Sequence, residues 1–415
     1  MRRDVPDGPV AEAVVKPAAS FARRVEHLAI RDAGRDVELL LDAGAPPEGS
    51  FALVFGGLES APERPQTERK AVRVALAALA SGKPPVDAAV DAVSVLEDDP
   101  NRNAGLGSSL RIDGLSVQMD AAVMAEDGRF GAVAAISRVR NPGRVARAVF
   151  DTQQRVLTGS GAQLFARSLG FGDFDPVTDQ AKSSYRTLLA AELARDGGAS
   201  SLLPQGWQMW VDASAFMPEA GVSAASPDAS ADAGAPVQPE VAADGQAPPP
   251  PKPAPQTPAP TPVTAPKGQP SGQPKQPRPA DAGHDTVAAL VRSEAGGFAG
   301  AVSSGGPPLT VPGRVGDVPT PGAALWVGKR GAVAITGPGE RIIDLGLARA
   351  VYEKLVALRS PKLAAAWGVK QLPEGVAVCV AVMDGRSFAV EPPDAMAWVG
   401  SEGDKTVESA KEDPP

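Results

Sequence analysis

The residues with the clearest chemical use stand at a junction. A proline-rich, low-complexity stretch ends at Pro279 and gives way to Gly283-His284-Asp285-Thr286-Val287. A flexible tether running into an Asp-Thr bond at the head of an apolar strand suits a cut between Asp285 and Thr286. The cut chain would begin with a threonine carrying a hydroxyl nucleophile and its own amine base on one residue. That amine has a reference pKa of about 7.7–8, close to working pH, so the chemistry needs no histidine. The chain holds two, His27 and His284. Taken alone, the same dipeptide also reads as a threonine that begins a strand.

The elements that would position this bond follow from periodicity. Phe51–Phe55 reads as a strand that stops at Gly56-Gly57. Thr67 to Ser81 reads as a helix with Val72, Leu76 and Leu79 on one face. A second helix opens at Pro85, where Val86, Val90, Val93 and Leu96 repeat the pattern. Leu96 to Gly107 is a largely polar loop, and Asp113-Gly114 predicts a hairpin of Ser109–Ile112 with Ser116–Met119. Gly131–Ile136 reads as a strand and Pro142–Phe150 as a helix. Beyond the junction, Thr286–Val291 and Phe298–Ser303 form a hairpin apolar on both faces, as in a sheet covered on both sides. Ala332–Ile335 is a further strand. A helix from Arg341 to Leu358 should carry Leu345, Tyr352 and Leu355 inward, and Val376–Met383 and Arg386–Val390 close the sheet. Paired helices and hairpins on both sides of the tether give an α+β fold, a layered sandwich with a largely antiparallel sheet.

Four segments follow. Residues 1–48 form a charged, irregular extension with a helix from Val14 to Leu28. Residues 49–217 and 284–415 form the two parts of one domain, and 218–283 are a disordered tether of Pro, Ala, Asp, Ser and Gln. An apolar fraction of 43% suffices for a core. A net charge of −8 argues against nucleic-acid or anionic-membrane partners. No run of residues is apolar and long enough to span a bilayer. Arg2 and Arg3 are followed by Asp4, Asp7 and Pro9 where a signal core would be apolar, which makes a cytoplasmic site the expectation. The single cysteine, Cys379, excludes an internal disulfide and reads as inert core. Two histidines argue against a histidine-based zinc site.

The motifs resemble those of threonine-nucleophile asparaginases and isoaspartyl peptidases (plant-type asparaginases), relatives of the glycosylasparaginases. The resemblance rests on Asp285-Thr286-Val287-Ala288, Ser303-Ser304-Gly305-Gly306, Pro312 to Asp317, and Thr336-Gly337-Pro338-Gly339-Glu340. Before the tether it rests on Leu96 to Pro100, Asn103-Ala104-Gly105, and Asp120-Ala121-Ala122-Val123-Met124. It implies a four-layer αββα sandwich of N-terminal-nucleophile hydrolase type, cut between Asp285 and Thr286. It implies hydrolysis of L-asparagine or β-aspartyl dipeptides through a threonyl acyl-enzyme, and a dimer of cleaved heterodimers.

Carried over by position, Thr286 would be the nucleophile and Ser304 its supporting hydroxyl. Thr336 and the Gly337 amide would form the oxyanion hole. Arg314 would bind the substrate α-carboxylate, Asp317 its α-ammonium, and Asn103 would sit near the nucleophile. No cofactor is implied beyond a structural sodium on the loop of Leu96, Glu97, Asn103 and Ala104, which reads equally as a plain connection. Without the resemblance, Arg314 and Asp317 could be a solvated ion pair on a surface turn.

Departures from the family pattern leave alternatives open. Ala288 replaces a glycine, Ser304 a threonine, and Pro307-Pro308-Leu309 the usual Met-Thr-Asn. Phe55-Gly56-Gly57-Leu58-Glu59 replaces His-Gly-Gly-Ala-Gly, and Gly322-Ala323-Ala324 replaces Gly-Ala-Gly. Glycosylasparaginase-like hydrolysis, or a non-catalytic relative acting as a binding or scaffold protein, are the competing readings.

Overall fold

Phe-Ala-Leu-Val-Phe, Phe51–Phe55, contains no polar residue, and all five side chains are buried. Such a strand needs cover on both faces, and it has it. The computed structural model describes residues 27–32, 35–40, 49–193, 285–402 and 405–409. They belong to one compact unit, Met1–Val211 with Pro277–Pro415. The tether, and the helix expected over Val14–Leu28 up to its last two residues, lie outside the described residues. His27 and Leu28 open a strand instead, and the extension is not irregular throughout: β1 (His27–Asp32) and β2 (Arg35–Leu40) pair antiparallel.

The chain continues through β3 (Phe51–Phe55), α1 (Gln66–Ala80), α2 (Pro85–Glu97), β4 (Met119–Ala125), β5 (Phe130–Ile136), α3 (Pro142–Phe150), β6 (Val156–Thr158), α4 (Gly159–Ser168) and α5 (Asp179–Leu193). After the tether come β7 (Thr286–Arg292), β8 (Phe298–Ser304), β9 (Leu325–Gly328), β10 (Gly331–Thr336), α6 (Gly339–Leu345), α7 (Leu347–Leu358) and α8 (Pro361–Val369). β11 (Cys379–Asp384), β12 (Phe388–Glu391), β13 (Trp398–Glu402) and β14 (Lys405–Glu408) complete it. One sheet has the order β14-β13-β3-β7-β8-β4-β5-β6, and a second has β12-β11-β10-β9. β7, from beyond the tether, pairs with β3 on one side and β8 on the other, so the two halves of the chain share one sheet.

Alternation along the strands sorts side chains into layers. Leu53, Ala122, Ala288, Leu290 and Val302 of the large sheet share a core with Ala332, Ala334, Cys379 and Ala381 of the small one. The opposite face of the small sheet, Val333, Ile335, Val380 and Val382, packs on α6, α7 and α8 through Ile342, Val351, Leu355 and Ala364. α1, α2 and α3 pack against strands of the large sheet. Each helix uses an apolar stripe: in α2 the expected Val86, Val90, Val93 and Leu96 are all buried. In α1 the buried face is Glu68, Ala71, Val72, Ala75 and Ala78, so the expected stripe is rotated toward alanines that allow close approach of α2.

Two sequence expectations are corrected. The helix expected over Arg341–Leu358 is two helices, because Gly346 takes left-handed backbone (φ 53°) and ends α6. Leu345 is consequently exposed rather than inward, while Leu355 is buried. The hairpin at Asp113-Gly114 is a turn rather than a strand pair. The Asp113 carboxylate accepts from the Leu115 and Ser116 backbone N–H groups, and regular pairing starts only at Met119. No described helix is long and apolar enough to cross a membrane.

Candidate active site

The same alternation places the chemistry. Thr286 shares a strand face with Ala288 and Leu290, Ser304 with Val302, Asp120 with Ala122, and Thr336 with Ala334, so all four point into the space between the sheets. Register then aligns them: Thr286 pairs with Ser304, and Ser304 with Asp120, making one row across β7, β8 and β4. Asp285 and Thr286 are both buried.

Two hydroxyls hold the Asp285–Thr286 peptide. Ser304 Oγ donates to the Asp285 carbonyl oxygen at 3.0 Å, and the Thr286 backbone N–H donates to Thr336 Oγ1 at 3.0 Å. Ser304 Oγ in turn accepts from the Gly306 N–H at 2.9 Å, which fixes its rotamer. The Asp285 carboxyl is seated by backbone N–H groups of Glu59 (3.1 Å) and Asn103. Burial, with the Glu59 carboxylate nearby, pushes its pKa up to about 7. Gly57 makes room for it. Its φ is +88°, and a side-chain carbon there would lie 1.8 Å from Asp285 Oδ1.

Asn103 ties the two halves of the chain together. Its Nδ2 donates to Gly306 O at 2.9 Å, its Oδ1 accepts from Ser109 N–H at 3.0 Å, and its carbonyl accepts from Gly305 N–H at 2.7 Å. Its amide is engaged in holding the Gly305-Gly306 turn, which follows Ser304 directly.

Arg314 and Asp317 are not a solvated pair. Arg314 donates through Nε and Nη2 to Glu340 Oε1 at 3.0 and 2.8 Å. Asp317 is buried, and its Oδ2 makes no hydrogen bond to the protein. Burial pushes the Asp317 pKa up to about 7 against the opposing charge of Arg314. Both groups converge over Gly339, where a side-chain carbon would lie 2.8 Å from Asp317 Oδ1 and 2.9 Å from Arg314 Nη2. A cation and a buried carboxylate thus face one small space, the carboxylate through Oδ1, while its other oxygen is the unpartnered one.

The loop carrying them is anchored by residues from before the tether. Asp120 accepts from Gly316 N–H at 3.0 Å and from Ala135 N–H at 2.7 Å. Gln118 Oε1 accepts from Gly313 N–H at 2.6 Å. Arg111, 1% exposed, donates to Thr310 Oγ1 and to Gln118 O, each at 2.7 Å. Its burial, with Arg314 nearby, lowers the guanidinium pKa to about 10 despite Asp120. Sequence reasoning assigned no role to Arg111 or Asp120. An arginine next to an isoleucine, ahead of a turn, looks like a surface residue, and only the fold reveals its burial. The Asp120 position was legible through its motif, but its partners were not.

Along the Leu96–Ala104 loop the acidic side chains have protein partners: Asp98 accepts from Arg140 and Asp99 from Thr67. The Glu97 carboxylate accepts from Gly143 N–H at 2.8 Å, at the start of α3, and burial pushes its pKa to about 7. Among the described residues no group of three or more His, Cys, Asp or Glu could hold a metal. Backbone carbonyls remain, with those of Pro100 and Arg102 converging on Gly107 and that of Glu97 on Gly105. Cys379 is buried in the core.

The chain is similar in sequence to several known proteins. The chain is 47% identical over 105 residues to the plant-type L-asparaginase of Pyrococcus abyssi, covering 25% of this chain and 34% of that protein. It is 40% identical over 146 residues to the isoaspartyl peptidase/L-asparaginase of Danio rerio, covering 32% and 46%. With the protein of that name from Bos taurus it is 27% identical over 366 residues, covering 85% and 93%. The chain thus spans about a third to a half of the length of the first two relatives, and nearly all of the third. A family model described as Asparaginase matches residues 58–206 and 257–388, taking in both halves of the site, and the chain belongs to that family.

Proposed function

We propose that the protein is a self-cleaving amidohydrolase acting on the side-chain amide of L-asparagine or on β-aspartyl dipeptides. One observation carries this reading: Ser304 and Thr336 grip opposite ends of the Asp285–Thr286 peptide bond, at its carbonyl oxygen and its amide nitrogen. An ordinary strand start has no use for two side-chain hydroxyls on one buried peptide unit.

In maturation, Thr286 Oγ attacks the Asp285 carbonyl carbon. The C–N bond breaks, the nitrogen takes up the hydroxyl proton, and an ester links Asp285 to Thr286 Oγ. Ser304, donating to the carbonyl oxygen, stabilises the negative charge that develops there. Water then hydrolyses the ester, leaving an Asp285 carboxylate and a Thr286 amine. The subunits are residues 1–285 and 286–415.

In turnover, the Thr286 amine removes the hydroxyl proton, and Oγ attacks the substrate amide carbon. Thr336 Oγ and the Gly337 N–H receive the oxyanion. Ammonia or an amine leaves, and water releases aspartate. Arg314 binds the α-carboxylate through its planar fork. The unpartnered oxygen of Asp317 takes the α-ammonium, a cation that suits a buried carboxylate with spare acceptor capacity. Around this site we place a four-layer αββα sandwich, a dimer of cleaved heterodimers and a cytoplasmic location. A sodium ion on the Leu96–Ala104 loop would have backbone carbonyls as its protein ligands, donors suited to a hard cation. It would hold the loop that presents Asn103.

The test is the intact mass of the purified protein beside Thr286→Ala. Two fragments, the smaller beginning at Thr286 and absent from the variant, followed by release of aspartate from asparagine or a β-aspartyl dipeptide, are expected. A chain that stays whole after long incubation overturns the reading.

A further inference from the structure

Between α5 and the Pro100–Leu110 loop lies a cavity of about 480 Å³. Its walls include Glu59, Asn101, Arg102, Asn103, Ser183 and Tyr185, whereas Thr286, Arg314 and Asp317 do not line it. Two of its lining residues nevertheless touch the residue before the Asp285–Thr286 bond. Glu59 and Asn103 both line the cavity and both donate their backbone N–H to the Asp285 carboxyl. The Asp285 carboxyl therefore sits between this cavity's wall and Thr286, its neighbour in the chain.

We propose that this cavity receives the amine half of the substrate, and that Glu59 selects an amine half carrying its own positive charge. The proposal rests on the hydrolytic reading above and refines its substrate class. Two arguments support it. The first is position: Arg314 and Asp317 converge over Gly339, while the cavity opens beside Glu59 and Asn103, so the two halves of a substrate astride Thr286 have separate places.

The second is charge. Three titratable side chains line the cavity, and two are committed. Arg102 donates from Nε to Glu68 Oε1 at 2.8 Å and from Nη1 to the Asn101 carbonyl, and the Tyr185 hydroxyl donates to the Ile112 carbonyl at 2.8 Å. The Glu59 carboxylate is exposed to the cavity and has no hydrogen-bond or ion-pair partner among the described residues. A cation placed against it would gain a partly exposed ion pair that no described residue already makes. Leu110 and Leu188 supply apolar wall for an alkyl stem, and the other lining residues include serines, threonines and the amides of Asn101 and Gln180. A β-aspartyl dipeptide ending in lysine fits these requirements.

The experiment compares β-aspartyl-lysine with β-aspartyl-norleucine, which keeps the stem and lacks the ammonium, on processed protein and on Glu59→Gln. We expect kcat/KM to favour lysine roughly threefold to fivefold, the range of a partly exposed ion pair. The difference should lie in KM, shrink with added salt, and fall to near unity in Glu59→Gln. A ratio equal in the two proteins overturns the proposal. Calorimetric binding of L-lysine and L-norleucine to the same preparations separates this from the hydrolytic reading. If neither dipeptide is cleaved but lysine binds more tightly, and only with Glu59 present, the cavity assignment stands and the hydrolase reading falls. Equal binding of the two overturns the assignment whatever the dipeptides do.

Discussion

Ser304 Oγ lies 3.0 Å from the carbonyl oxygen of Asp285, and it is the register of β7 against β8 that sets it there. Because Thr286 pairs with Ser304, the carbonyl one residue earlier falls within reach of the hydroxyl. A donor fixed by the Gly306 N–H before the reaction begins needs no reorganisation as charge develops. Ser304→Ala should therefore slow self-cleavage by about 10²–10³-fold, the cost of losing one oxyanion donor. Ser304→Thr keeps the hydroxyl and should cleave at close to the parental rate. Fragment yield against time, read by mass spectrometry, checks both.

Gly57 permits the seat of Asp285 in two ways at once. Its positive φ is costly for any other residue, and its missing side chain leaves the space that Asp285 Oδ1 occupies. Gly57→Ala should destabilise the uncut chain by about 1–3 kcal/mol. It should also slow cleavage at least about tenfold by moving the scissile carbonyl off Ser304, since a 1 Å misplacement can cost more than that. Urea denaturation of the variant in a Thr286→Ala background reads the first effect, and fragment yield reads the second.

The candidate site was legible in the sequence through motifs that resemble a known family's, since the Asp-Thr pair taken alone reads equally as a strand start. Thr286, Ser304 and Thr336 each end or begin an apolar strand. But β7 and β8 are apolar on both faces, so pairing and not alternation alone decides which face looks inward. Arg314 to Asp317 lie on a loop outside any strand. What could not be read is what long-range pairing decides. Nothing local to Arg111 says that it will be fully buried against Thr310, some two hundred positions later. α5 carries Tyr185 onto Ile112, but with few apolar residues it gave no clear helical period. The helix break at Gly346 was visible as a glycine, yet one glycine inside a periodic pattern does not by itself end a helix.

Arg111 should matter to binding through the loop it anchors. Its two hydrogen bonds fix Thr310 and the Gln118 carbonyl, and Gln118 in turn holds Gly313, next to Arg314. Arg111→Met keeps an unbranched stem but leaves these acceptors short of a donor in a buried setting. We expect a loss of about 2–4 kcal/mol in urea unfolding of the uncut chain, since each unsatisfied buried group costs roughly 1–3 kcal/mol. In processed protein KM should rise more than kcat falls, because the substrate's head-group partner is displaced while Thr286 is not.

Asp317 makes the strongest prediction about pH. In the empty site burial holds its pKa near 7, so below that pH the carboxyl is largely protonated and offers no charge to an α-ammonium. Affinity for L-aspartate, the expected product, should fall as pH drops below 7, approaching tenfold per unit, because one proton must be released for each ligand bound. At pH 6.5 calorimetry in two buffers of different ionisation enthalpy should detect that proton. Asp317→Asn should bind more weakly and lose the acid-side dependence between pH 5.5 and 7. A titration near pH 7.7–8 would survive in that variant, since it belongs to the Thr286 amine, whose charge the ligand also senses. Binding that strengthens on acidification would mean that the ammonium lies elsewhere and that the free oxygen of Asp317 has another use.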